Sequence, residues 1–385
     1  MPTPTLTQTL VIALIQAILV VIFIFVIVPL TIYAERKVLG HIQLRLGATR
    51  IAGTHTGLTG LVNRSMWKLG KVPVLAYWRG IPMLVGDILK MILKEDVRPT
   101  KADRFVFFLA PSLSFVAAVM AFAAVSFVPG TFFTFPKWVP LVGGLPLSGG
   151  MADVNVGLLW ILGIASVGVY GIVLAGWASN SKYPLLGSLR SGAQIVSYEV
   201  PLTLSLLAPV LMSGSLQFSH MATTMATGLP FWGIVPQMLG FLVYFTCGFA
   251  ETNRLPFDMP EAENELVAGF HTEYSGMKFG FFYLGEYINM AVVSALAAGF
   301  FLGGPWLLPF GLQGLVNPYL PAWLGQPCAL FFVVKIVLLL FVFIWVRGTI
   351  PRYRYDQIMA VAWKYLIPLA LVNLLLAAMV RYLAV

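Results

Sequence analysis

The segment from Glu251 to Ser275, ETNRLPFDMPEAENELVAGFHTEYS, concentrates acidic side chains that could carry protons. It holds six of the 15 Asp and Glu residues in a chain of 385 residues, and it lies between two apolar runs. The six are Glu251, Asp258, Glu261, Glu263, Glu265 and Glu273. Carboxylates beside a low-dielectric region resist ionisation and can take up and release protons. A solvated acidic loop is the structural alternative, and interleaved apolar residues such as Phe257 and Phe270 argue against it.

Two more carboxylates lie inside apolar runs. Glu199 follows Arg190 by nine residues in SYEVPLTLSLL, which on a helix places it about 13 Å further along the axis. Glu286, in YLGEYINM, lies eight residues past Lys278. Each is either a proton-relay group or a protonated side chain hydrogen-bonded to a neighbouring helix. For Glu199 the acidic segment nearby favours the relay.

Composition places this chain in lipid. Charged residues make up 10% of it, against about 25% in soluble domains, and its mean hydropathy is +0.88. Cys247 and Cys328 are far apart, and the four histidines are scattered singly. This spacing predicts no iron–sulfur, haem or zinc site, so any redox centre is expected in a partner chain.

The predicted fold is all-α, a polytopic membrane protein with about eight transmembrane helices plus interfacial amphipathic helices. Eight apolar runs reach the length of about 20 residues that a spanning helix needs. They cover residues 8–32, 105–127, 154–178, 191–212, 231–250, 279–302, 329–347 and 361–383.

Basic residues predict the orientation of these spans. The segment from Arg36 to Arg104 carries 13 of the 24 Lys and Arg residues, and in an eight-span topology 20 of the 24 fall on one side. That side is therefore predicted to be cytoplasmic, with both termini on the outer side. Because most of the net charge of +9 flanks membrane spans, it indicates contact with lipid headgroups and argues against nucleic-acid binding.

The whole chain, 1–385, is predicted to be a single integral membrane domain with two cytoplasmic excursions. The first, 34–104, contains an amphipathic helix at 82–95, expected to lie in the membrane interface, and an unusual stretch around 53–80. The second is the acidic loop 251–278. The residues alone leave two classes open: a proton-conducting subunit of an energy-converting complex, and a stand-alone secondary transporter.

Four segments carry a family resemblance that favours the first class. They are YAERKVLGHIQLRLG at 33–47, GVYGIVLAGWASNSKYPLLGSLRSGAQIVSYEVPL at 168–202, the acidic loop continued through GEY, and RGTIPRYRYDQIMAVAWKYLIPLALVN at 347–373. Together they resemble the H subunit of proton-pumping NADH:quinone oxidoreductase, respiratory complex I. Membrane-bound hydrogenases and F420 dehydrogenases contain a similar subunit, so another electron donor is the alternative. Residues 53–80 are longer than in the family and look like an insertion.

The resemblance implies a multi-pass subunit of a bacterial plasma (inner) membrane that forms part of a quinone chamber shared with partner subunits. Quinone would be its substrate, and iron–sulfur clusters would occur only in those partners, which comprise quinone-module and membrane-arm subunits. The implied quinone-binding residues are Glu35, Arg36, Arg45, Arg254, Phe257 and Asp258. The implied proton path comprises Glu199, Glu251, Glu261, Glu263, Glu265 and Glu286. No metal ligand and no catalytic residue of its own are expected.

Overall fold

The computed structural model describes residues 6–47, 80, 82–136, 144–150, 153–228, 231–259, 267–309, 312–313, 321 and 325–384. Within them, eight helices are long and apolar enough to cross a membrane, which confirms the predicted class. The three acids Glu261, Glu263 and Glu265 and the insertion at 53–79 lie outside the described residues.

The helices follow the chain in one series. They are α1 (Leu6–Ile42), α2 (Pro82–Leu93), α3 (Arg104–Ala123), α4 (Gly157–Ala178), α5 (Lys182–Ser213), α6 (Phe218–Thr227), α7 (Ile234–Glu251), α8 (Gly276–Phe300), α9 (Ala329–Thr349), α10 (Tyr355–Ala360) and α11 (Ile367–Ala384). A π-helical segment, Val361–Leu366, joins α10 to α11. Short 3₁₀ turns cover Phe231–Gly233 and Gly269–His271. Strands β1 (Thr131–Thr134) and β2 (Pro146–Ser148) pair antiparallel in the loop between α3 and α4.

Helix α8 forms the centre of the bundle. In its most hydrophobic 18-residue window 72% of the residues are buried, against 28% in α1, so α8 contacts protein on most sides while α1 is mostly open to lipid. It packs against α3, α9 and α6, and α5 packs against α4, α7 and α11. Small residues allow this close approach. A Cβ at Gly171 would lie 2.8 Å from the carbonyl oxygen of Ala110, and one at Gly248 would lie 2.4 Å from the side chain of Val293.

Two helices extend further than the apolar runs predict. The first span was expected to end at residue 32, yet α1 continues to Ile42 and carries Glu35 and Arg36 as helical residues. The fourth, α5, begins at Lys182, nine residues before the predicted start. Hydropathy finds only the part of a helix inside lipid, whereas buried polar neighbours stabilise the polar ends of these two helices.

The amphipathic segment forms a helix, α2, at Pro82–Leu93, two residues shorter than predicted. It packs against the start of α8, and the loop after it is tied there by Lys278 and Asp96, whose charged atoms are 2.8 Å apart. Ile88 and Ile92 stay about half exposed. This exposed apolar face suits the predicted position in the membrane interface.

Candidate functional site

Glu35 lies at the centre of a buried polar cluster where α1, α8 and α9 meet. One carboxylate oxygen accepts a hydrogen bond from Arg347, and the other accepts one from the Tyr287 hydroxyl at 2.6 Å. The nearest guanidinium nitrogen of Arg254 is 3.9 Å from the first oxygen. Glu35 is 6% exposed, so these donors take the place of water around its carboxylate.

Arg254 is the fixed cation of this cluster. It is 5% exposed, lies 3.5 Å from Glu286, and its guanidinium carbon is 4.3 Å from the centre of the Tyr287 ring. Burial alone would lower the pKa of Arg254, but Tyr287, Glu286 and Glu35 together hold that pKa well above its usual range. Two of its nitrogens, Nε and Nη2, have no hydrogen-bond partner in the described part of the chain. The positive charge is therefore permanent and sparsely hydrogen-bonded.

His271 lies near one carboxylate oxygen of Glu286, and Arg254 lies near the other. Its Nε2 lies 4.0 Å from a carboxylate oxygen of Glu286, while its Nδ1 is 2.7 Å from the carbonyl oxygen of Ala268. A carbonyl only accepts, so Nδ1 must carry the hydrogen of this bond. In the neutral ring Nε2 then carries no hydrogen, and it gains one only when the ring becomes cationic. His271 can thus exchange a proton at the atom that faces Glu286.

A small cavity with a mixed polar and apolar lining connects Glu286 with Glu251. Its volume is about 30 Å³, enough for one or two water molecules. Besides the two carboxylates, it is lined by the polar side chains of Ser114, Thr252, Asn253 and Asn289. The hydroxyl of Ser114 and the amide of Asn289 have no hydrogen-bond partner in the described residues, so both are available to water. Glu199, half-buried on α5, acts electrostatically on Glu251.

The loop after Glu251 is held by hydrogen bonds to its backbone. The fully buried amide of Gln194 donates to the carbonyl oxygens of Ala250 at 2.8 Å and Phe257 at 2.7 Å. Phe257 stacks edge-on with Tyr198 at 5.5 Å, and Asp258 accepts from Arg352 at 3.1 Å. These contacts fix the turn that inserts Arg254 into the cluster.

A wider cavity of about 450 Å³ opens beside the cluster. Arg36 lines it and pairs with Asp87 on α2 at 2.6 Å, and His271 borders it as well. Its other lining side chains include Lys90, Lys94, Met91, Tyr274 and Phe279. Burial raises the pKa of Tyr274, so that phenol keeps its proton. The cavity combines cationic side chains with apolar walls, and His271 lies between it and Glu286.

The structure brings part of the predicted site together, while the predicted acids Glu261, Glu263 and Glu265 lie outside the described residues. Glu35, Arg254 and Glu286 share one cluster, and Glu251 reaches it through the small cavity. Arg45, expected in the same place as Arg36, is exposed in the turn beyond α1 and makes none of the cluster's contacts. The turn folds back so closely that a Cβ on Gly40 would lie 2.7 Å from the Cα of Gly47, and the side chain of Arg45 is left exposed.

Several members of the site escaped sequence reasoning. Arg347 binds Glu35 across a separation of 312 residues. One feature of the sequence could have indicated this pair: both residues lie at the end of a strongly apolar run, on the same predicted side of the membrane. Tyr287 and Asn289 lie one and three residues after Glu286. Their nearness to the cluster could therefore be predicted from the sequence, but the direction of their side chains could not. No group of three or more His, Cys, Asp or Glu side chains suited to a metal occurs in the described ranges.

Architecture and cluster together define a class: a polytopic α-helical membrane protein with carboxylates and a permanent cation buried at one end of its bundle. Within that class, the four sequence motifs pointed to one family. The chain belongs to the NADH dehydrogenase family, whose sequence model matches residues 15–378.

Curated relatives match almost the full chain. One, from Koribacter versatilis, is 44% identical over 96% of this chain and 97% of its own length, and is named as the second H subunit of an NADH-quinone oxidoreductase. Another, the NADH-quinone oxidoreductase H subunit from Paramagnetospirillum magneticum, is 43% identical over 98% of this chain and 94% of its own. A third, the first H subunit from Geobacter sulfurreducens, is 41% identical over 95% and 93%.

Proposed function

We propose that this chain is the membrane subunit of a proton-translocating NADH:quinone oxidoreductase that couples quinone reduction to proton movement. The near full-length similarity to relatives named as the H subunit supports the enzyme class. The observation that supports the coupling role most directly is the position of the buried Arg254 guanidinium, which lies within ion-pair distance of both Glu35 and Glu286. Glu286 lines the small cavity, and the wider cavity opens beside the same cluster.

Quinone would enter the wider cavity, whose volume of about 450 Å³ falls within the range of small-molecule sites. Arg36 and the neighbouring lysines offer positive charge to a quinone oxygen that gains electrons, while Met91 and Phe279 contact apolar parts. Phe257 and Asp258 are proposed to act on this chamber indirectly, by holding the loop that carries Arg254. The electrons would come from an iron–sulfur cluster in a partner subunit, and reduction of quinone to quinol consumes two electrons and two protons.

The proton path would begin where the two cavities approach each other. Negative charge on the reduced quinone raises the proton affinity of nearby groups, and His271 lies between the wide cavity and Glu286. From Glu286, water in the small cavity would pass a proton to Glu251, and Glu199 would receive it next. The loop acids Glu261, Glu263 and Glu265 are proposed to extend this path toward the membrane-arm subunits.

The cluster and the wide cavity are proposed to face the cytoplasm of a bacterium, with both termini outside the plasma membrane. An even number of spans places the termini on one side, and 20 of the 24 basic residues fall on the other. Lipid, quinone-module subunits and membrane-arm subunits are the proposed partners. The side of the cluster is then the side on which a peripheral arm would dock.

Replacing Glu286 with Gln tests the coupling role. In the assembled complex we expect at least a tenfold fall in NADH:quinone reductase activity and proton pumping, because the amide cannot exchange a proton between His271 and the cavity water. NADH oxidation by a soluble artificial acceptor should persist, since it bypasses the chamber. Glu273→Gln, which changes an acid of the loop just before α8 and outside the cluster, is the matched control. Normal pumping by Glu286→Gln in reconstituted vesicles would remove Glu286 from the path.

A further inference from the structure

The central helix α8 ends inside the protein, where the chain after it stays buried. Phe301, Gly303, Gly304 and Pro305 are all buried although they belong to no helix. Gly303 and Gly304 adopt positive φ of 74° and 52°, which side chains disfavour, and this turns the backbone inward. Irregular backbone that is buried inside the protein has carbonyl groups that need a hydrogen-bond partner other than water.

For three of these carbonyl groups the partner is the side chain of one lysine. The ammonium of Lys335, seven residues into α9, donates to the carbonyl oxygens of Leu302, Trp306 and, at 3.2 Å, Gly304. Three acceptors use all three donors of an ammonium group. No carboxylate of the described residues lies within ion-pair distance of Lys335, so the group is not half of a salt bridge. The three oxygens form a cage for a cation, and the cation is tethered to α9.

A second cation acts in the same way on a neighbouring helix. Arg381, near the end of α11, donates to the carbonyl oxygen of Met212 at 3.2 Å, in the last turn of α5. Carbonyls at a helix C-terminus carry partial negative charge and favour a cation. Both clamped helices bear acids of the proposed path, since α8 carries Glu286 and α5 carries Glu199.

We infer that Lys335 is a positioning residue, a tethered cation that fixes the far end of α8 and thereby the placement of Glu286 and Tyr287 against Arg254 and Glu35. The cage itself does not depend on the proposed function, but the consequence for coupling rests on it. A helix is stiff along its axis, so a shift or rotation of its end near residue 302 also moves Glu286, the one acid that α8 carries, which lies in the middle of the helix. Glu286 is sensitive to such a shift because its contacts to Arg254 and His271, at 3.5 and 4.0 Å, are already long.

The test compares two variants. Lys335→Met has a side chain of similar length but lacks the charge and the hydrogen-bond donors, whereas Lys335→Arg keeps the charge and the donors. Lys364→Met is the matched control, because Lys364 is an exposed lysine of the last span. Each variant is studied in the assembled complex. Hydrogen–deuterium exchange over residues 298–306 reports on the cage, and the ratio of protons pumped to NADH oxidised reports on the acids.

We expect about tenfold faster exchange in Lys335→Met, since charge-assisted hydrogen bonds are lost, together with a lowered pumping ratio. Lys335→Arg should reverse at least half of the change in the exchange rate and in the pumping ratio. Lys364→Met should change neither the exchange rate nor the pumping ratio. If Lys335→Met fails to assemble, assembly of Lys335→Arg supports the inference. Equal behaviour of the Met and Arg variants in assembly, exchange and pumping would overturn it.

A further outcome separates this inference from the proposed function. Faster exchange with an unchanged pumping ratio would overturn the positioning role while leaving Glu286 to its own test. A normal pumping ratio in Glu286→Gln combined with a lowered ratio in Lys335→Met would show that the far end of α8 acts through another group, and it too would overturn the link to Glu286.

Discussion

Arg254 shows how one buried residue can hold two acids without neutralising either completely. Its distances to Glu35 and Glu286, 3.9 and 3.5 Å, are those of ion pairs without close hydrogen bonds, and the Tyr287 ring covers one face of the guanidinium. Such contacts leave oxygens of Glu286 free for water or for a proton. The residue thus supplies a constant field in which the protonation of its neighbours can change.

Replacing Glu35 with Gln tests this charge balance. The substitution leaves Arg347 and Arg254 sharing a buried site with one carboxylate fewer, which we expect to destabilise that region by about 3 kcal/mol. The thermal midpoint for loss of quinone-linked activity in the purified complex should fall accordingly. Glu95→Gln, which removes an exposed acid after α2, should leave the midpoint unchanged. A Glu35→Gln complex as heat-stable as the parent would show that the two arginines do not need the charge of Glu35.

The acids of this site were foreseeable one by one, but their partners were not. A carboxylate in an apolar run is conspicuous in the sequence because burial without a partner is so costly. The partner of Glu35, however, is Arg347, and nothing in their spacing of 312 residues relates them. Only the packing of α1 against α9 makes them neighbours.

At the scale of elements, α8 arranges the site by its periodicity. Tyr283, Glu286 and Tyr287 fall within one turn and meet Arg254 on one side, while Asn289 opens on the small cavity. Glycine at 285 permits close approach to Ser114 of α3, whose hydroxyl would be 3.3 Å from an added Cβ. One helix thus presents both the ion-pair cluster and the place for water.

Replacing Asn289 with Leu should remove that water without disturbing either carboxylate. The two side chains have similar volumes, but leucine offers no hydrogen bond, so the link between Glu286 and Glu251 would be broken. We expect proton pumping to fall about tenfold, as the loss of a relay step of about 1.4 kcal/mol implies. Reconstituted vesicles with a pH-sensitive dye give the rate.

The matched control is Asn373→Leu. Asn373 is fully buried and its amide lacks a hydrogen-bond partner among the described residues, but it faces Gly240 in another part of the bundle. Pumping should stay normal in this variant. Equal losses in both variants would point to packing rather than to water as the cause.

Element existence was predictable here because a spanning helix must be apolar over its full membrane path. The residues at which the helices begin and end were harder to predict. Helix α1 continues through Glu35 and Arg36 because those polar residues find buried or cross-helix partners, and hydropathy cannot register such partners. The β1–β2 hairpin and the short helix α6 also lie in loops where the sequence signalled only Gly, Pro and low charge.

At the scale of the whole molecule, charge is divided between the two ends of the bundle. The proposed cytoplasmic end holds the ion-pair cluster and most basic residues, whereas at the other end Lys335 and Arg381 bind backbone carbonyl oxygens. These two cations depart from the orientation bias because backbone oxygens bind them. The ionisable groups of the proposed site therefore lie at one end of the bundle, and the cations that stabilise the backbone lie at the other end.

Thiol labelling can test the orientation. Cys328 is exposed at the start of α9, on the proposed outer side, and Cys247 is buried. A membrane-impermeant maleimide should label Cys328 in spheroplasts. A Cys328→Ser, Lys101→Cys chain should react only after the membrane is opened, because Lys101 precedes α3 on the proposed cytoplasmic side. The opposite pattern of labelling would invert the topology.

The sequence by itself determined the solvent, the number of spans, the family and the identity of most acids, because each of these depends on local composition or on short motifs. Only the tertiary structure decided which of those acids share a cluster, which cation serves them, and where water fits between them. The physical reason is that buried charge is governed by partners within a few ångströms. Helices that are far apart in the chain supply those partners, and packing alone selects which helices become neighbours.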